Sequence, residues 1–529
     1  MRYRASALLI AAIMLASAKF CPARAASATC ASLKDLKLPH TTITLAQEVG
    51  AGGFQPSRPQ FKDVPAFCRV AGTIKPTSDS NIRFEVWMPV SGWNGKFDGA
   101  GNGGFAGSIQ YEQLASAVRM GFATASTDTG HTGSATDGSW ALGHREKVID
   151  FGYRGIHEMT VKAKAIVQRF YGVAPRWSYF ASCSNGGRQA LMEAQRFPED
   201  YDGIIAGAPA NFWTHLLTAA VWVDQATLAH AVSYIPPSKL PAISAAVLAA
   251  CDAEDGVTDG ILNDPRRCHF NPATLLCRSA DSNSCLTAPE VTALEKIYRG
   301  PRNSRGEQIF PGYEPGGELG NNGWAPWITG SAPEKSLLFA FGTQFFSNMV
   351  FSNPDWDYRK LNFDSDVQLT DRKLARILNA TDPNLSTFKA HGGKLIMFHG
   401  WNDSAIAPVN TVNYYKSVVA RMGLHQTRDF LRLYMAPGVQ HCALGPGPSA
   451  FGASVEGAKL DPQHSIFSAL ERWVEGGIAP DDIIATKYRN PANSASGALM
   501  TRPLCPYPEI ARYKGTGDPN DARNFVCAP

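Results

Sequence analysis

Polar and apolar residues alternate through Ile82–Pro89 (IRFEVWMP), a period of two that predicts a β-strand. Short apolar runs at Phe122–Thr127 (FATAST), Trp177–Ser182 (WSYFAS), Tyr201–Gly207 (YDGIIAG), Lys394–His399 (KLIMFH) and Phe430–Met435 (FLRLYM) read as further, more buried strands. Ile156–Tyr171 and Arg188–Arg196 read as helices, and Trp93–Gly107 as a glycine-rich loop. Strands alternating with helices predict an α/β protein with a mostly parallel sheet. Between about 210 and 383 the strand signal fades and Pro, Gly, Asn and aromatic residues accumulate. That stretch reads as an insertion, so 26–209 and 384–529 form one catalytic domain and 210–383 a lid domain. No internal repeat interrupts this plan.

The first 25 residues stand apart. Met1–Arg4 is basic, Leu8–Ala18 is apolar but too short to span a bilayer, and Ala23-Arg24-Ala25 is a small-x-small site. Residues 1–25 are therefore expected to be a signal peptide, placing the protein in the periplasm or outside the cell. The chain has 50 basic and 46 acidic residues, and four of the basic ones lie in this leader with no acid. The remainder is neutral, which gives no general pull toward nucleic acid or acidic membranes. Later segments hold no apolar run of membrane-spanning length. Of 11 cysteines, Cys21 belongs to the leader. An even ten behind a secretion signal suggests disulfides, and no CxxC spacing suits zinc. Near-neighbour pairing would join Cys30 to Cys68, Cys251 to Cys268, Cys277 to Cys285 and Cys505 to Cys527. Cys183 and Cys442 are left over, as a long bridge or as two free thiols.

The strand WSYFAS runs into Cys183-Ser184-Asn185-Gly186-Gly187 and then a helix. A serine on a sharp strand–turn–helix junction is a nucleophile elbow, with the next backbone N–H, that of Asn185, near a developing oxyanion. The usual first glycine is replaced by Ser182. In this fold an acid and then a histidine must follow in the chain. Asp403 follows KLIMFH and His441 follows FLRLYM, each after a buried strand. His399, inside its strand, reads as a packed or hydrogen-bonded residue. Elsewhere Asp252, Asp255 and Asp259 crowd a turning loop with Gly256 and Gly260, hard oxygen ligands suited to Ca²⁺, though the spacing is not that of an EF-hand.

The segments CSNGGRQ at 183–189, GWNDSAIAP at 400–408 and PGVQHC at 437–442 resemble the signature of the tannase and feruloyl esterase family of α/β-hydrolases. The tail at 502–518 resembles the bacterial mono(hydroxyethyl) terephthalate hydrolases of that family. The resemblance implies an α/β-hydrolase fold with a large inserted lid, Ser184 as nucleophile, His441 as base and Asp403 as orienting acid. It implies an oxyanion hole from the N–H groups of Gly101 and Asn185, and a Cys183–Cys442 disulfide beside the catalytic pair. It also implies structural Ca²⁺ held by Asp252, Asp255 and Asp259 with the carbonyls of Val257 and Ile261.

The substrate expected is a small aromatic ester cleaved through an acyl-enzyme. Phe339, Phe341, Phe345, Phe346 and Phe351 cluster in the lid as lid core or as walls for an aromatic acid. No Arg or Lys occurs from Ser336 to Pro354 to hold the free carboxylate of a terephthalate monoester. The ranking is feruloyl esterase, then tannase, then terephthalate-monoester hydrolase. A secreted binding module with a degenerate site is the non-enzyme alternative.

Overall fold

The computed structural model describes residues 28–55, 61–491 and 493–529. The expected signal peptide lies outside these. One nine-stranded sheet forms the centre. Its strands are β1 (Thr41–Val49), β2 (Phe67–Ile74), β3 (Ile82–Pro89), β4 (Lys96–Ala100), β5 (Ala123–Thr127), β6 (Trp177–Cys183), β7 (Gly203–Gly207), β8 (Lys394–Gly400) and β9 (Leu431–Ala436). The order is β1-β2-β3-β5-β4-β6-β7-β8-β9. β1, β2, β3 and β5 pair antiparallel, and the sheet is parallel from β5 to β9.

Every residue of β5 and β7 is buried, as expected for parallel strands covered on both faces. On one face lie α2 (Gly155–Tyr171), α3 (Asn185–Arg196) and α6 (Val409–Met422), contributing Ile166, Leu191 and Val418 to a core with Phe180 and Met397. On the other lie α1 (Tyr111–Arg119) and α7 (Ile466–Gly476), packing Ala117, Phe467 and Leu470 on Tyr179, Ile205 and Ile396. β7 and β8 are neighbours in space, yet the whole helical segment containing α4 (Trp213–Leu228) and α5 (Leu337–Gln344) lies between them in sequence. This segment has its own core around Ile243, Leu294 and Trp324, and a second apolar cluster joins it to Phe105, Phe151 and Ile406 of the sheet domain.

Three strands of the central sheet, and the C-terminal hairpins, were not legible in the pattern. β4 lies inside the expected glycine-rich loop, because KFDGA offers only one large apolar residue. β1 and β2 form an antiparallel edge whose mixed burial gives no apolar run. Two C-terminal hairpins, β10 (Ile483–Asn490) with β11 (Asn493–Leu504) and β12 (Ile510–Tyr513) with β13 (Phe525–Ala528), complete the chain. Five disulfides are present: Cys30–Cys68, Cys183–Cys442, Cys251–Cys268, Cys277–Cys285 and Cys505–Cys527. Among the described residues no helix is long and apolar enough to cross a membrane.

Candidate active site

Ser184 sits at the tip of β6, immediately before α3, with φ 66° and ψ −126°. A non-glycine residue there costs about 1–3 kcal/mol, which the surroundings must offset. Its N–H donates to the Gly207 carbonyl at the end of β7 (2.9 Å), and the carbonyl of Ser184 receives the N–H of Arg188 and of Ala210. The following glycines are required sterically. A Cβ on Gly187 would stand 2.3 Å from the Gly207 oxygen. A Cβ on Gly186 would stand 1.9 Å from Ser182 Oγ, and one on Gly101 would stand 2.6 Å from the same atom. The missing first glycine of the elbow is thereby explained: Ser182 keeps its side chain because Gly186 and Gly101 leave room for it.

His441 follows β9. Its Nδ1 donates to Asp403 Oδ2 at 2.7 Å, and Asp403 lies on the turn after β8. Asp403 Oδ1 accepts the N–H groups of Ala405 and Ile406 at 2.8 and 2.9 Å. Burial alone would raise the Asp403 carboxyl. The charge of His441, with hydrogen bonds from His399 and His441, outweighs it and holds Asp403 well below the usual carboxylate range. Among the described residues no hydrogen bond joins Ser184 Oγ to His441. Such contacts commonly tighten only when substrate arrives. The Cys183–Cys442 bridge abuts both Ser184 and His441, and Cys442 itself has φ 63°.

Beside Ser184 opens a cavity of about 70 Å³. Its wall is formed by Trp213, Leu217, Trp327, Leu338, Phe341 and Ile406, together with Gly104 and Asn185. None of its lining residues is charged. The structure separates the five clustered phenylalanines, with Phe351 stacked against Phe346 and Trp356. Phe341 lines the cavity, but Phe345 and Phe346 are fully buried in the core of the inserted helical segment, and Phe339 packs edge-on against Tyr358. Helical spacing on α5 turns only one face toward the serine, and the pattern of aromatics could not say which. Gly101 does not itself line the cavity. Its neighbour Asn102 gives its N–H to Gln189 Oε1, and it is Gly104 of the same loop that reaches the cavity wall with Asn185.

A family model described as tannase and feruloyl esterase matches residues 68–528. The chain belongs to the tannase and feruloyl esterase family. It is 45% identical to an uncharacterised esterase of Xanthomonas campestris, over 95% of this chain and 91% of that protein. It is 33% identical to a mono(2-hydroxyethyl) terephthalate hydrolase of Piscinibacter sakaiensis, over 95% and 92% of the two chains. The crystal structure of feruloyl esterase B from Aspergillus oryzae superposes with a TM-score of 0.86 at 30% identity, covering 94% of this chain and 99% of that one. The protein is thus an esterase with an α/β-hydrolase fold.

In this esterase several supporting residues carry no sequence signal of their own. Gln189 and Asn102 clamp the glycine loop to α3, and Asn102 Nδ2 donates to the carbonyls of Thr127 and Ser108. Arg188 is fully buried and, among the described residues, has no acidic partner; its guanidinium donates to Asn185 Oδ1 and to the carbonyls of Phe151, Gly152 and Leu378, and stacks on Phe151 and Trp213. Burial pushes it down to about 9. From the inserted helical segment, Asn322 Nδ2 donates to the His441 carbonyl, and the Trp327 ring stands edge-on to His441 at 5.0 Å.

The acidic loop is ordered around its carboxylates. Asp252 accepts the Gly260 N–H, Asp255 those of Val257 and Asn263, and Asp259 that of Ile261. Arg502 from β11 holds Asp259 Oδ2 at 2.8 Å. Three carboxylates and adjacent carbonyls are the hard-oxygen donor set that Ca²⁺ takes. Among the described residues, the groups of carboxylates, imidazoles and thiols gathered within 4.8 Å do not include these three. A cation here would draw them together and compete with Arg502.

Proposed function

We propose that this esterase is secreted and hydrolyses esters of neutral aromatic, hydroxycinnamic-type acids, as a feruloyl esterase does. The observation that carries the reading is the uncharged, aromatic-walled cavity opening at Ser184. It offers stacking surface for a ring and no cation for a second carboxylate, which disfavours terephthalate monoesters. It also offers few acceptors for the three hydroxyls of a galloyl ring, which disfavours tannase activity. A dry apolar cavity of roughly 150 Å³ holds benzene, so an aromatic acyl group requires Phe341 and Trp327 to yield or the ring to project toward the opening. The lid formed by about 210–383 supplies both residues.

In this reading His441 takes the proton of Ser184 as its Oγ attacks the ester carbonyl. The oxyanion is held by the Asn185 N–H and an N–H of the Gly101–Gly104 loop. His441 then protonates the departing alcohol, and water attacks the acyl-enzyme by the same route. Ca²⁺ at Asp252, Asp255, Asp259, Val257 and Ile261 has a structural part, holding the lid loop to the C-terminal hairpins. Five disulfides support export to an oxidising compartment.

Initial rates on methyl ferulate, methyl gallate and mono(2-hydroxyethyl) terephthalate test the substrate. We expect kcat/KM to be highest for ferulate; a preference for either other ester overturns the assignment. Ser184→Ala should remove activity by at least about 10⁴-fold.

A further inference from the structure

We propose that His399, the buried histidine near the end of β8, is a positioning residue that shares the orienting carboxylate with His441 and thereby sets the basicity of the catalytic imidazole. The inference rests on the serine-esterase reading above.

His399 is fully buried. Its Nε2 lies 3.0 Å from Asp403 Oδ2 and 3.1 Å from the Ile406 carbonyl oxygen. Two acceptors face this nitrogen, so it carries the hydrogen. Nδ1 lies 2.7 Å from Thr411 Oγ1 on α6, and as the bare nitrogen it accepts the threonine hydroxyl. The two acceptors at Nε2 set the tautomer that makes His399 a donor toward Asp403, and Thr411 supports it by donating to the bare Nδ1.

The oxygen it reaches is the one His441 Nδ1 also uses. Oδ1 is already taken by two backbone N–H groups. Two imidazoles thus divide one oxygen. A carboxylate oxygen that already accepts from His399 stabilises an imidazolium at His441 less than an undivided one would. His399 thereby tempers the support that Asp403 gives to the imidazolium formed when His441 takes the serine proton. The other groups facing this pair do not supply that effect. Tyr313 reaches in from the lid segment, its hydroxyl donating to the Ala405 carbonyl at 3.1 Å, and behind it lies buried Asp224 of α4. Burial, then the charges of Asp403 and Asp224, raise the Tyr313 phenol, so it stays neutral and adds no charge beside the pair.

The test is the pH profile of kcat/KM on methyl ferulate for wild type, His399→Phe, His399→Gln and Thr411→Val. Gln places an N–H where Nε2 stood; Phe does not. We expect His399→Phe to move the acidic limb up by about one pH unit and to lower kcat about 10- to 100-fold, with KM within about twofold. His399→Gln should return the limb close to wild type, and Thr411→Val should move it in the Phe direction by less. An unmoved limb in His399→Phe, with only thermal stability lowered, makes His399 a packing residue and overturns the proposal. So does an equal displacement in His399→Gln. Should His399→Phe fail to fold, Thr411→Val decides: an unmoved limb there overturns it. Ser184→Ala separates the two readings, because full activity in that variant sinks the serine-esterase reading itself, whatever the His399 profiles show.

Discussion

Ser182 and Gly186 divide one small volume beneath Ser184. The elbow tolerates a serine at its first position because the glycine two residues past Ser184 has no Cβ to meet it. Gly186→Ala should therefore destabilise the protein by about 1–3 kcal/mol through overpacking and displace Ser184, lowering kcat. Ser182→Gly/Gly186→Ala should recover most of both, since the atom met at 1.9 Å is then gone. Urea unfolding and kcat of the single and double variants check this; a double variant no better than Gly186→Ala would show that another contact is at fault.

At the scale of elements, the site is assembled from three strand ends and two additions. β6, β8 and β9 deliver Ser184, Asp403 and His441 to one edge of the sheet. The Cys183–Cys442 bridge then ties the loops after β6 and β9, closing a loop of 259 residues. In the chain-entropy account such a closure contributes about 5 kcal/mol, and it restrains the serine and histidine loops relative to each other. The acidic loop is the second addition. It is stitched to the C-terminal hairpins by Arg502 on Asp259, by Asn263 donating to the Ala511 carbonyl, and by Val257 packed with Cys505 and Phe525. With Ca²⁺ bound there, a chelator should lower the Tm by several degrees while leaving kcat on the still-folded enzyme little changed. Asp252→Asn should lower the Tm and blunt the response to chelator. Loss of stability on chelation that is identical in Asp252→Asn would place the metal elsewhere.

Across the whole molecule, buried charge makes stability depend on pH. Asp128, beside the glycine loop, accepts the N–H groups of Arg83 and Gly130 on Oδ1, while its buried Oδ2 has no hydrogen-bond partner among the described residues. Burial pushes this carboxyl up to about 7. A group raised in the folded chain binds its proton more tightly there than when unfolded. Its contribution is thus complete below about pH 4 and is lost as pH rises through 7, with an upper bound of about 4 kcal/mol. Asp128→Asn keeps both Oδ1 bonds and carries no charge. It should match wild type near pH 4.5 and exceed it in stability by a few kcal/mol at pH 8. His131 nearby has the opposite sign. Burial lowers it to about 4, so its contribution is present above pH 6.5 and is lost on acidification. Comparing variant with wild type at each pH isolates Asp128; an identical difference at both pH values would refute the assignment.

The chain alone determined the α/β class, because fully buried parallel strands leave apolar runs that need no partner to be recognised. It also determined Ser184, Asp403 and His441 as candidates, since each follows such a run in the order the fold demands. Local disulfides were legible from proximity. The Cys183–Cys442 pair was legible only as a remainder, because distance along a chain says nothing about closeness in space. In the central sheet β1, β2 and β4 escaped because edge and glycine-containing strands lack the apolar run that identifies the others, and the part-exposed hairpin strands β10–β13 escaped likewise. The cavity wall escaped for a different reason. Phe339, Phe345 and Phe346 carry the same chemistry as Phe341, and which one faces Ser184 is decided by how α5 packs on α4. His399 and Asp403 were each visible, but their sharing of one oxygen with His441 depends on β8 and β9 lying side by side. Residue type and order along the chain belong to the sequence; which atoms meet across elements is settled by packing.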